Sequence, residues 1–261
     1  MPEGCQFTID SALARGTVYQ CLAQACAFPG ELFGEALQRD LWRTSLQEAI
    51  EALQCVDTCI ETLEALEIVQ PTIDLAAMRQ EYSRLFSNTA LTDFPPYGAD
   101  YLASHIFMKA QTLADVAGFY RAFGLGIVDG TERPDHISAE FEFMGYLCFK
   151  EAYAAEQGLA EALEVTTAAQ RRFFAEHLGR WAPLFLKRFE TVCAQPFYRA
   201  LACFAQAFLA SEAAHLRIAP EPISAVPADA PSAGDFTCGV GEGQCPLVQD
   251  GWGDGAEGER R

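Results

Sequence analysis

The 261-residue chain carries 36 acidic against 18 basic side chains, a formal net charge of −18 at pH 7. A surface so acidic repels phosphate backbones and anionic lipid, so the composition argues against nucleic acid; it suits a basic partner, and equally a charged coat that only keeps the protein soluble. With 50% apolar and 21% charged residues, a chain of this length buries roughly 70% of its unfolded surface and needs no disulfide or metal staple.

The amino terminus, Met1-Pro2-Glu3-Gly4-Cys5, has neither a basic region nor an apolar stretch of the secretory kind. No run reaches about eighteen uninterrupted apolar residues, so no stable membrane insertion is expected. Ten cysteines without an export signal fit the reducing cytoplasm.

Apolar residues recur at three- and four-residue spacing, with no sustained alternation, and this predicts an all-α fold. A first helix is expected over 11–28, with Leu13, Val18, Leu22 and Ala25 on one face and Pro29-Gly30 as its stop. One long helix is expected over 41–67, buried through Leu46, Ile50, Leu53, Val56, Ile60, Leu63 and Leu66. Asp74 is a suitable cap for a third, carrying Leu75, Met78, Tyr82, Leu85 and Phe86.

A loop over 87–98 contains Pro95-Pro96, and a helix then runs from about Tyr101 to Phe123, stopping at Gly124. After a loop over 125–134, Asp135 is expected to cap a helix bearing Ile137, Phe141, Met144 and Cys148. Further helices are expected over 166–178, 182–193 and 197–216, the last with Pro196 at its first turn. Cys21, Cys26, Cys55, Cys59, Cys193 and Cys203 fall within these stretches as small apolar fillers.

The composition changes at Ala219. The remaining 43 residues hold five prolines, eight glycines and eight acidic side chains, a mixture that cannot bury enough apolar area to offset chain entropy. The expected organisation is a single helical-bundle domain over 8–217 and a disordered acidic tail over 218–261.

No phosphate-binding glycine loop, nucleophile elbow, zinc-protease helix motif or C-x-x-C pair occurs. The four histidines, His105, His136, His177 and His215, are scattered. The sequence therefore points to a binding protein with no cofactor, rather than to an enzyme.

Three constellations stand out. The first is Glu81-Tyr82-Ser83-Arg84-Leu85-Phe86, followed after a loop by Pro95-Pro96-Tyr97-Gly98-Ala99-Asp100-Tyr101. Two consecutive prolines present the next aromatic on a stiff, non-helical backbone, a good anchor for an apolar peptide. On spacing alone, core placement of Tyr82, Leu85 and Phe86 is the commoner use. The second is Arg133-Pro134-Asp135-His136-Ile137-Ser138-Ala139-Glu140-Phe141-Glu142-Phe143-Met144, where Asp135 can cap the helix while His136 points outward from its first turn. The alternative is an ordinary cap beside an incidental histidine. The third is Cys238 and Cys245 in a glycine-rich segment, half of a metal site or two free thiols.

The first two constellations, in this order and spacing, resemble the TorD/DmsD/NarJ family of redox-enzyme maturation chaperones over about residues 10–215. The matching landmarks are E-Y-x-R-L-F, P-P-Y-G-x-x-Y-L and P-D-H-I-x-x-E-F-E-F-M. The resemblance implies a helical chaperone. Its partner would be the apo catalytic subunit of a molybdopterin oxidoreductase, bound through its N-terminal leader until cofactor insertion and twin-arginine export.

Peptide-binding positions implied by resemblance are Tyr82, Leu85, Phe86, Pro96, Tyr97, Asp135 and His136, joined by Tyr19. Asp135 would meet the leader's arginines and Tyr97 its apolar stretch. Asp100 departs from the family pattern, where an apolar residue usually follows the Pro-Pro-aromatic step, and the cysteine-bearing tail lies outside it. The quaternary expectation is a monomer or a domain-swapped dimer. The open alternatives are a NarJ-like assembly factor without leader recognition, a helical metal- or cofactor-binding protein, and an adaptor whose tail senses metal or redox state.

Overall fold

The computed structural model describes residues 3–53, 57–69, 74–86, 94–103, 106–126, 132–221 and 223–224. The tail expected to be disordered, together with Cys238 and Cys245, lies almost wholly outside the described residues, as does Cys55. Among the described residues the fold is all-α, without a strand.

In chain order the helices are α1 (Glu3–Cys26), α2 (Glu31–Gln38), α3 (Leu41–Leu53), α4 (Asp57–Val69), α5 (Leu75–Phe86), α6 (Ala99–Leu102), α7 (Ile106–Ala122), α8 (Ile137–Glu156), α9 (Ala160–Phe173), α10 (Gly179–Val192) and α11 (Pro196–Leu216). A π-helical turn, Phe174–Leu178, joins α9 to α10.

The expected elements reappear with shifted ends, α1 starting at Glu3 and α9 at Ala160, and with three larger differences. The stripe that predicts one helix over 41–67 is shared by α3 and α4, and residues 54–56 between them lie outside the described residues. Both halves bury part of the stripe, Leu46 and Ile50 in one and Leu63 and Leu66 in the other, while Ile60 of the same stripe is 43% exposed; the periodicity runs on without marking the change of helix. The short α2 and α6 were not expected. Each is too brief to display a helical repeat of its own.

Asp74 does cap α5, its carboxylate accepting the Ala76 N–H at 2.9 Å. Pro196 opens α11 as expected. The described core cysteines, Cys21, Cys26, Cys59, Cys148 and Cys193, are buried.

The centre of the molecule is the pair α1 and α8, with α3 against α1, α9 against α8, and α11 against both α10 and α4. Glycines set how near the central pair can come. A Cβ on Gly16 would lie 2.6 Å from the Phe149 ring, and one on Gly145 would lie 3.2 Å from the Gly16 carbonyl oxygen. Around this contact an apolar core includes Val18, Leu22, Phe141, Met144, Leu147, Trp181, Phe204 and Phe208.

A buried ionic cluster ties four helices together. The Arg15 guanidinium of α1 donates to Glu212 of α11 at 2.8 and 2.9 Å, to Glu151 of α8 at 3.1 Å and to Gln170 of α9 at 2.7 Å. Gln170 in turn donates to Glu151 at 2.7 Å. Every nitrogen of the Arg15 fork is engaged, and it is with such pairing that a buried charge is tolerated.

Candidate functional site

The Pro-Pro segment and the turn before α8 meet through their backbones. Tyr97 and His136 form an isolated antiparallel bridge. On either side of it the Gly98 N–H donates to the Asp135 carbonyl at 2.8 Å, and the Ile137 N–H to the Pro96 carbonyl at 2.9 Å. Proline forbids helix at 95 and 96, so the chain stays extended where the bridge needs it. Gly98 is required by close approach, because a Cβ there would lie 2.8 Å from Trp181 Nε1 and 2.9 Å from Glu140 Oε1.

Asp135 does not cap α8. His136 does, its Nδ1 accepting the Ser138 N–H at 3.2 Å, which places the neutral ring's proton on Nε2. The Asp135 carboxylate instead accepts the Ala99 N–H at the start of α6, at 2.9 Å, and the Arg133 guanidinium at 2.8 and 3.0 Å. The bridge turns Asp135 across to the neighbouring segment, and α6 is where the unsatisfied N–H groups are.

His136 does not point outward either. It is 1% exposed and Asp135 0%. Burial raises the Asp135 carboxyl from its ordinary value, opposed by Arg133, and depresses His136 to about 4, so the imidazole is neutral at physiological pH.

Tyr97 is half-buried at the rim of this junction. Its ring packs edge-on to His136 at 5.3 Å, lies under the Arg133 guanidinium at 4.2 Å, and its hydroxyl donates to Glu132 at 3.1 Å. Beneath the junction, Glu140 is fully buried and accepts the Trp181 indole N–H at 3.0 Å. Desolvation pushes its carboxyl well above the usual range, opposed by the Trp181 hydrogen bond.

The other predicted residues divide by depth. Leu85 is buried; Tyr82 packs edge-on to Phe28 and to Phe86. Phe86 stacks on Phe189 at 5.7 Å and reaches Phe94 at 6.3 Å, linking the end of α5 to the segment that leads into Pro95-Pro96. Pro96 is buried beneath the bridge. Tyr19 is fully enclosed between Phe208, at 5.0 Å, and Phe141, so it belongs to the core and stands apart from the junction. The structure thus brings Pro96, Tyr97, Asp135 and His136 together, ties Tyr82 and Phe86 to them through Phe94, and leaves Tyr19 elsewhere.

Beside the junction opens a cleft of about 490 Å³, walled by Tyr120, Phe143, Tyr146 and Phe149 and edged by Glu132 and Glu142. Pro134 joins the two features, since it lines the cleft and is the chain neighbour of Asp135, and Glu132 at the cleft edge accepts the Tyr97 hydroxyl; the Pro134 carbonyl also accepts the Tyr120 hydroxyl at 2.6 Å. Sequence reasoning assigned none of these residues to the site, although Glu142 and Phe143 lie within its second constellation. Their signal was a second stripe on α8, Ala139, Glu142, Phe143 and Tyr146 at helical spacing, running beside the core stripe of Ile137, Phe141, Met144 and Cys148.

The model of the family described as "nitrate reductase delta subunit" matches residues 40–187. The perchlorate reductase assembly chaperone protein of Dechloromonas aromatica is 30% identical over 77% of this chain and 89% of its own length. The chlorate reductase assembly chaperone protein of Ideonella dechloratans is 25% identical over 70% and 80%. The chaperone protein TorD of Vibrio atlanticus is 24% identical over 63% and 75%. The chain belongs to the TorD/NarJ family of reductase assembly chaperones. Among the described residues, no helix is long and apolar enough to cross a membrane.

Proposed function

We propose that this chaperone binds the N-terminal leader of the apo catalytic subunit of a molybdenum oxidoreductase in the cytoplasm, holding it until cofactor insertion and before twin-arginine export. The observation that carries this reading is the join at Pro134 between a stiff, aromatic-bearing junction and an apolar cleft with acidic edges. A leader of this kind presents arginines followed by an apolar stretch, and the two surfaces are complementary in that order.

Within the predicted set, Tyr97 contacts the peptide. Pro96, Asp135 and His136 fix the backbone that presents it, and Tyr82, Leu85 and Phe86 back it from within. Asp135 is already engaged by Arg133 and Ala99, so Glu132 and Glu142 are the carboxylates that meet the leader's arginines.

The experiment is calorimetry of the full chain against synthetic leaders carrying Arg-Arg or Lys-Lys. Saturable binding that is weaker for Lys-Lys supports the reading, because a planar guanidinium uses a carboxylate edge better than an ammonium does. Equal binding of both would favour a NarJ-like mode, in which the client's N-terminus is held without reading the arginine pair. The match to the nitrate reductase delta subunit model is what favours that second reading. No binding of either peptide overturns both.

A further inference from the structure

Outside the cleft already described, a second one of about 640 Å³ opens between α7 and the π-helical turn, lined by residues that include Thr112, Asp115, Glu176, His177 and Arg180. Asp115, Glu176 and His177 each bring one potential ligand atom to it, and these atoms lie within 4.8 Å of one another. We propose that these three side chains form a binding site for a divalent transition-metal ion of the zinc class.

The geometry favours this in two ways. The imidazole is held in place, ringed by Phe119 at 5.6 Å and Phe173 at 5.2 Å, and its Nε2 meets the Asp115 carboxylate at 2.9 Å. The π-helical turn seats His177 in the protein while Glu176, its neighbour in sequence, stays half-exposed at the mouth. Such turns occur disproportionately where a helix has been adapted for binding.

His177 is 4% exposed, so its ring cannot turn away, and Nε2, which meets Asp115, is the nitrogen that faces the site. An ion on Nε2 takes the place of that hydrogen bond and moves the ring proton to Nδ1, which is buried without an acceptor, a cost that the bonds to the ion must exceed.

The ligand set selects the ion. One imidazole with two carboxylates, and no thiolate among the lining residues, suits zinc, cobalt or manganese better than the all-oxygen shells of calcium and magnesium. Ligand atoms around zinc sit about 3.2–3.5 Å apart, so the two carboxylates must draw in. Both are on half-exposed side chains, and the Arg172–Glu176 pair that must yield is an exposed i,i+4 contact of the kind that contributes little.

The test uses the full chain, stripped of metal and carrying C238S and C245S so that tail thiols cannot bind. Cobalt(II) is titrated and followed by its visible ligand-field absorption, with zinc in calorimetry. The expected result is one ion per chain, without thiolate-to-cobalt charge transfer, and at least about tenfold weaker binding in both Asp115→Asn and Glu176→Gln. Those two positions are exposed enough to keep the fold, which circular dichroism checks, whereas His177→Gln tests the buried ligand at greater risk to packing. Absence of saturable binding, a thiolate charge-transfer band, or undiminished binding in both carboxylate variants overturns the proposal. Leader binding is measured on the same samples and stands or falls separately.

Discussion

Arg15 and Arg133 are each paired with a carboxylate that solvent does not reach, yet their own side chains are 2% and 39% exposed. Around Arg15 the circuit is closed. Glu151, Glu212 and Gln170 come from three further helices, and the cluster's output is the packing of α1, α8, α9 and α11. Around Arg133 the circuit is half open. One side of the guanidinium fixes Asp135, and through it the first turn of α6, while the other side lies over the ring of Tyr97 at the rim of a cleft. A buried carboxylate therefore says where the fold is pinned, and what else the partner arginine touches says whether that pin serves a surface.

Breaking the closed circuit has the largest expected effect. Arg15→Ala strands two buried carboxylates and should cost about 3–5 kcal/mol, read by chemical denaturation. A loss under about 1 kcal/mol would mean that water reaches the cluster. At the open junction, Gly98→Ala forces a methyl against Trp181 and Glu140 and should cost about 1–3 kcal/mol. Leader affinity should fall with it, whereas Arg15→Ala at temperatures where it remains folded should leave affinity near the original.

The third expectation concerns pH. His136 has its ordinary value of 6.5 when unfolded and is depressed to about 4 in the fold. The unfolded state then binds the proton first as pH falls. Stability is full above about 6.5 and declines between there and about 4, by at most about 1.4 kcal/mol per pH unit. Denaturation curves across that window should flatten in His136→Gln, and an unchanged slope would mean that the ring is not held neutral. The smallest effect is at the cleft edge. Glu142→Gln should weaken leader binding roughly two- to fivefold at low salt, with less difference at high salt and no change in melting temperature.

Most of the fold was legible because helical periodicity, proline stops and caps are local signals. The Asp74 cap, the Pro196 start and the α8 stripe each rest on a few residues, and the α1 stripe holds at Val18, Leu22 and Ala25 while Leu13 is exposed. The site was legible only in outline. Motif order pointed to Tyr97 and His136 together, but the roles of Asp135 and His136 are set by a backbone bridge between segments about forty residues apart in sequence, and no local rule encodes which N–H a carboxylate will face. Tyr19 shows the converse. An aromatic on an amphipathic helix reads alike whether it is core or anchor, and only the positions of Phe208 and Phe141 decide. Phe143 and Tyr146 had a local signal within α8 itself, since a helix with two adjacent apolar stripes has more to bury than one core, whereas nothing local marks Glu142 off from any solvated carboxylate.

Hydrogen exchange of the full chain, with and without a saturating Arg-Arg leader peptide, addresses the junction and its cleft most directly. Slowed amide exchange in residues 94–102 and 132–149, with the Arg15 cluster's helices otherwise unchanged, is the expected result. Protection that falls elsewhere, with both of those segments exchanging as in the free protein, would contradict it.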